Sequence, residues 1–121
     1  MSSSWISEET RPWGWFGVIS EMEDCKIKRL LVNPGKRLSL QSHRHRREVW
    51  LVVRGAGIAV VGEEEISIQV GSLITIEKEQ KHRLIHPGED GDIPLEIIEI
   101  QTGSYFGEDD ITRYEDDFNR V

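Results

Sequence analysis

The chain has 121 residues, with 22 acidic against 15 basic side chains, a net charge of −7 and one cysteine, Cys25. That length suits one domain with a real core, the acidity argues against a nucleic-acid partner, and a single cysteine excludes an intramolecular disulfide. With no leader-like start and no apolar run near the roughly 20 residues that span a bilayer, the expectation is a cytoplasmic protein without a membrane segment.

In chain order, residues 1–10 are Ser-rich and expected to be flexible, and the aromatic stretch "RPWGWF" follows. "CKIKRLLV" then ends at the turn "NPGK", "RLSLQSHRH" comes next, and "EVWLVV" stops at "RGAG". "IAVVG", "EISIQV", "GSLITI", "HRLIH" and "PLEIIEIQ" complete a series of short β-rich runs bounded by Gly, Pro or charged residues. Such a series predicts an all-β antiparallel sandwich or barrel rather than βαβ units. No helix-length apolar periodicity interrupts it between Lys26 and Gln101. The expected organisation is a single domain over 1–121, with a barrel over about 24–102 and a tail over 103–121. In the tail, Ile111, Tyr114 and Phe118 recur at near-helical spacing. That spacing predicts a short helical segment, either docking three apolar residues or covering a site.

The segment "QSHRHRREVW" carries the chemistry. In an extended chain alternate side chains share a face, so Arg37, Ser39, Gln41, His43 and His45 are expected on one side and Leu38 and Leu40 on the other. A polar row of this kind describes a half-exposed strand equally well. What favours a metal site is Glu48, close behind His45, and His82 one strand pair later. Three imidazoles and one carboxylate on rigid strands suit a divalent first-row metal: zinc, manganese, iron, cobalt or nickel.

With these residues in view, the sequence resembles the cupin superfamily. Gly35, His43, His45, Glu48 and Gly55 in "GKRLSLQSHRHRREVWLVVRG" hold the positions of its first signature, with two more residues between the glycine and the first histidine than is usual. Gly71 and His82 in "GSLITIEKEQKHRLIH" match the second. "RPWG", "KHRL" and "PLEIIEIQTGSYFGEDDITRYEDDF" look more closely like the cupin module of type II mannose-6-phosphate isomerases, which is often fused behind a mannose-1-phosphate guanylyltransferase domain. The resemblance implies a double-stranded β-helix (jelly-roll) barrel and a site for one divalent metal held by His43, His45, Glu48 and His82. It also implies a homodimer. Nucleotidyl transfer is not expected of this stretch, which has no phosphate-cradling Gly-rich loop.

The implied reaction interconverts mannose 6-phosphate and fructose 6-phosphate through an enediol, which needs a Lewis acid and a proton-transfer group. Glu48, Lys28 and Glu99 are the catalytic candidates, with Glu96 as another possible base. Arg37, Gln41, Arg46, Trp50, Arg83 and Tyr105 are the candidates for substrate binding, and Lys81 and Arg113 are further cations for a phosphate. The chain departs from the family pattern at Val49, where a histidine is usual, at Glu77, Lys78 and Glu79 in place of a Pro-x-Gly turn, and at His86 in place of an asparagine. Those departures raise an alternative expectation, a metal-containing cupin that binds a sugar or sugar phosphate without turning it over.

Overall fold

The computed structural model describes residues 5–89 and 91–118. Among them are eleven strands and no helix: β1 (Ser7–Arg11), β2 (Gly14–Glu21), β3 (Cys25–Val32), β4 (Leu40–Ser42), β5 (Arg46–Arg54), β6 (Ala56–Val61), β7 (Glu64–Gln69), β8 (Leu73–Ile76), β9 (His82–Ile85), β10 (Leu95–Gly103) and β11 (Thr112–Glu115). They form two antiparallel sheets, one ordered β1-β2-β3-β10-β5-β8 and the other β11-β4-β9-β6-β7.

The two sheets enclose Phe16, Leu30, Val32, Trp50, Val52, Ile97, Ala59, Ile68 and Leu84. Period-two alternation supplies this core: β3 buries every second residue, namely Lys26, Lys28, Leu30 and Val32, and β5 buries Arg46, Glu48, Trp50 and Val52. Each inner face changes character along its length. It is apolar at one end of the strand and charged at the other.

Register brings the charged ends together. In the pairing of β10 with β3, Ile97 lies opposite Leu30, Glu99 opposite Lys28 and Gln101 opposite Lys26. On the other side of β10, Ile97 faces Val52, Glu99 faces Trp50 and Gln101 faces Glu48. Half of the interior is therefore a dry core and the other half a polar chamber.

Two expectations are corrected. The tail is not helical: Thr112–Glu115 forms β11, pairing with β4 through Thr112↔Ser42 and Arg113↔Gln41. The unpaired edge of β4 offered backbone partners that a short isolated helix lacks. The first ten residues are not uniformly a loose lead, because Ser7–Arg11 is hydrogen-bonded to β2 as β1; residues 1–4 lie outside the described ones.

Candidate metal centre

His43, Glu48 and His82 each offer a ligand atom, and these atoms lie within 4.8 Å of one another, all buried. Glu48 comes from β5, His82 from β9, and His43 from the turn just after β4. His43 Nε2 is 3.2 Å from Glu48 Oε2, and His82 Nε2 is 3.8 Å from Glu48 Oε1.

The second nitrogen of each ring fixes its orientation. His43 Nδ1 donates to the Asp110 carbonyl at 2.7 Å, and His82 Nδ1 donates to the Gln80 carbonyl at 2.8 Å. In the neutral ring the lone pair then falls on Nε2, directed at Glu48. Burial, with Arg46 and His82 nearby, lowers the His43 pKa to about 4, so this imidazole is neutral at physiological pH. A carboxylate and a neutral imidazole nitrogen at 3.2 Å share no proton and need a cation between them. Arg46 bridges them, donating from Nε to Glu48 Oε2 at 2.9 Å and from Nη2 to His43 Nε2 at 3.2 Å. Two imidazoles pinned through Nδ1 to backbone carbonyls, closing on one carboxylate, could hold a divalent metal. The residues fit the group.

His45 does not join them. Strand β4 ends at Ser42, the alternation lapses in the turn that follows, and His45 is exposed with its ring 6.1 Å from that of Tyr105. The face that His45 was expected to share carries Gln41 instead, paired directly opposite His82. This resolves the odd spacing after Gly35, because the position two residues before His43 belongs to Gln41. Gln41 Nε2 donates to Ser39 Oγ at 3.0 Å.

A second carboxyl backs the first. Trp50 Nε1 donates to Glu48 Oε1 at 2.9 Å and to Glu99 Oε1 at 3.3 Å, and Gln101 Nε2 donates to Glu99 Oε2 at 2.8 Å. Burial and the neighbouring Glu48 push Glu99 above the usual carboxylate range, with Lys28 and Arg46 opposing. Burial also pushes Glu48 up, but His82, Arg46 and the hydrogen bonds from Glu99 and Trp50 outweigh it and hold Glu48 low. Of the two carboxyls, Glu99 is the one shifted toward its protonated form and Glu48 the one shifted toward its carboxylate.

Beside Glu99 is a cavity of about 120 Å³ lined by Lys28, Gln41, Arg46, Glu99, Glu108 and Arg113, among others. Lys28 is 5% exposed, ion-paired to Glu108, and 4.5 Å from the centre of the Phe16 ring. Where a base was expected from the sequence, the Lys28 ammonium is engaged by Glu108 and the Phe16 ring. Glu96 is no base for this site either: it pairs with Arg29 and Arg54, each at 3.1 Å.

Arg37 leaves the ligand face. Gln41 pairs with His82 whereas Arg37 pairs with Ile85, a shift of one residue in register that reverses the side-chain direction. Arg37 instead forms a bidentate pair with Asp117, both contacts at 2.9 Å. Arg83 follows the inward His82 and so points away; it donates to the Leu38 carbonyl at 3.0 Å and to Glu115 at 3.1 Å. Lys81 lies over the Tyr114 ring. Tyr105 is exposed, hydrogen-bonded to Asp109, on a wider rim cleft shared with His45 and Glu79.

Of the departures from the family pattern, Glu79 touches the centre, its N–H donating to the His43 carbonyl at 2.7 Å, whereas Val49, Glu77 and His86 lie off it. Val49 pairs with Ile100 and Thr75 and has the opposite parity to Glu48, so it faces outward. Glu77 pairs with Arg47 on the surface. His86 is a structural residue of another loop: its Nε2 donates to the Ile93 carbonyl and its Nδ1 accepts from Gly88. A histidine introduced at position 49 has no route to the chamber. Val49→His is expected to leave metal affinity within about twofold, since outward surface changes rarely propagate, measured by competition against a chromophoric chelator on both proteins.

Asp110 gave no signal in the sequence beyond belonging to an acidic tail. Its backbone carbonyl orients His43, and its carboxylate accepts from the Arg44 and His45 N–H groups at 2.9 and 3.0 Å. One residue thus fixes the whole turn. Gly103 makes this packing possible: a Cβ there would meet the His45 carbonyl at 2.2 Å. Asp110→Ala keeps the carbonyl on His43 but frees the Arg44 and His45 N–H groups that hold the turn, so metal binding is expected to weaken by up to about tenfold, below the usual loss for removing a direct supporting contact, read by competition against a chromophoric chelator.

Comparison with known proteins follows the same lines. A family model described as "Mannose-6-phosphate isomerase C-terminal" matches residues 2–116. The xanthan biosynthesis protein XanB of Xanthomonas campestris pv. campestris is 42% identical over 119 residues, which are 98% of this chain and 25% of XanB. The alginate biosynthesis protein AlgA of Pseudomonas aeruginosa is 42% identical over 114 residues, 94% of this chain and 23% of AlgA. The chain therefore spans about a quarter of the length of these relatives. Among solved structures, a cupin-2 domain from Rhodospirillum rubrum matches with a TM-score of 0.69 at 18% identity, covering 91% of this chain and 82% of that one. With the two-sheet strand order, that likeness identifies the fold as the cupin double-stranded β-helix.

Proposed function

This chain belongs to the mannose-6-phosphate isomerase C-terminal family, and from that premise we propose that it is a metal-dependent isomerase interconverting mannose 6-phosphate and fructose 6-phosphate. The observation that carries the proposal is the placing of a second buried carboxyl, Glu99, beside Glu48 and at the wall of a cation-lined cavity. His43, Glu48 and His82 would hold the ion, with Gln41 beside them. When bound, a divalent ion supplies Lewis-acid polarisation of a carbonyl oxygen.

The remaining work falls to side chains. Aldose–ketose exchange moves a proton between adjacent carbons, so one group must take it and return it within a site closed to water. Glu99 is buried, faces the cavity, and is held by Trp50 and Gln101 in one orientation. Arg46, with one nitrogen on Glu48 and another on His43, stands where it can fix a sugar oxygen relative to both. Lys28 and Arg113 give the cavity positive charge inside an acidic molecule, which suits a phosphorylated ligand. Of the changes that motivated a binding-only reading, those at Val49, Glu77 and His86 lie away from this arrangement, and Glu79 meets it through its backbone N–H on the His43 carbonyl.

Three wider expectations belong to the same proposal. The ligand is a small sugar phosphate, and the reaction serves polysaccharide precursor synthesis in the cytoplasm, in keeping with the names of the relatives. Among the described residues no helix is long and apolar enough to cross a membrane. The assembly is a homodimer, supported by Leu51 and Leu73, which pair on the outer sheet face while 37% and 64% exposed. The test is a coupled turnover assay on mannose 6-phosphate, run on metal-stripped protein and after adding back zinc, manganese, iron, cobalt or nickel in turn. Activity restored by at least one ion is the expected result. Inactivity with every ion at full loading would contradict the proposal.

A further inference from the structure

The Lys28–Glu108 ion pair is built differently from the surface pairs around it. Lys28 is buried, whereas the Glu108 side chain is 56% exposed and comes from the loop between β10 and β11. Glu108 reaches into a cluster of cations: its carboxyl is held below the usual range, against burial, by Lys28, Arg46 and Lys26. Lys26, Lys28 and Arg46 are each at least nine-tenths buried. Arg46 Nη1 is buried and has no hydrogen-bond partner among the described residues, although Arg46 and Glu108 line the same cavity. A buried guanidinium N–H without an acceptor is costly unless something visits it. Lys28 sits on the face of the Phe16 ring, so its ammonium has a fixed position and its remaining donors a fixed direction.

We infer that this recess is an anion subsite and that Glu108 is its built-in stand-in: a phosphate group enters by displacing the Glu108 carboxylate from Lys28 and satisfies Arg46 Nη1 as it does so. The inference rests on the proposed sugar-phosphate reading and adds to it the position of the phosphate and the group it competes with. A carboxylate offers one charge and two acceptor oxygens, whereas a phosphate monoester offers nearly two charges and three oxygens, so the exchange favours phosphate. A neutral sugar cannot make it. Phosphorylated ligands are selected because only they release Glu108.

The experiment titrates inorganic phosphate, mannose 6-phosphate and mannose into the full chain by calorimetry, alongside Glu108→Gln and Lys28→Met. Glu108→Gln keeps the side chain's shape and removes the competing charge. It should tighten phosphate binding by about fivefold or more, and Lys28→Met should weaken it by about tenfold or more, the scale of one charge-assisted hydrogen bond. Metal content should not change in Glu108→Gln. Mannose 6-phosphate should follow inorganic phosphate, and mannose should show no such dependence. Weaker or unaltered phosphate binding in Glu108→Gln would overturn the inference. Since Lys28→Met alters a buried position and could unfold the chain, the unmodified protein supplies an independent readout: the amide resonances of Gly107, Glu108 and Asp109 should shift on phosphate addition, and saturation without any shift there would equally overturn it. None of these readouts uses turnover. Phosphate displacing Glu108 in a protein that isomerises nothing would defeat the isomerase reading and leave this one standing.

Discussion

His82→Ala is expected to leave less than about a tenth of the metal bound by the unmodified chain, because a site of three close donors loses one of its two imidazoles and the part of its geometry that β9 alone supplies. The loss should appear as stability too. A metal that binds only the folded chain at a free concentration 100 times its Kd stabilises by about 2.7 kcal/mol. Adding a chelator should therefore lower the melting temperature of the unmodified protein by several degrees and leave that of His82→Ala almost unmoved. His45→Ala is the matched control, expected to keep its metal, since His45 lies on the rim. Metal analysis and paired melting curves read both quantities.

Glu99→Gln should separate catalysis from binding. The substitution keeps a side chain that can donate to Glu48, but it ends any transfer of a proton to or from position 99. Turnover should fall by about 10²–10⁴-fold, the usual contribution of a general acid–base group, with metal content retained and KM changed little. Stability should change little, because Trp50 keeps its shorter bond to Glu48 at 2.9 Å and the amide oxygen still accepts from Gln101. A fall in kcat at unchanged metal content and stability assigns proton transfer to Glu99.

The strand pattern was legible because alternation and turn residues are local. So was the gathering of His43, Glu48 and His82 at one point. What local reading missed was parity across irregular backbone. His45 is two residues after His43, yet the turn after Ser42 sends it to the surface, and the one-residue register shift before Gln41 does the same to Arg37. Val49 looked like a lost catalytic group until its pairing with Ile100 placed it outside. Glu108 and Asp110 were invisible for another reason. In an acidic tail, nothing in composition distinguishes a carboxylate that caps a turn or a buried lysine from one in solvent, and only the return of β11 to β4 brings these two to the chamber. The same tail read as helical because Ile111, Tyr114 and Phe118 fit a period of about 3.6; a free sheet edge overrode that weak signal.

The central claim is that a metal held by His43, Glu48 and His82 and a proton held by Glu99 act on one sugar phosphate. Proton exchange at the second carbon of mannose 6-phosphate in deuterated water, followed by NMR, tests it most directly, because exchange reports removal and return of that proton even where net conversion is small. Metal-loaded protein should exchange it well above the metal-free control, and Glu99→Gln should abolish the difference. Metal-loaded protein that binds mannose 6-phosphate but exchanges no faster than the metal-free control would contradict the account.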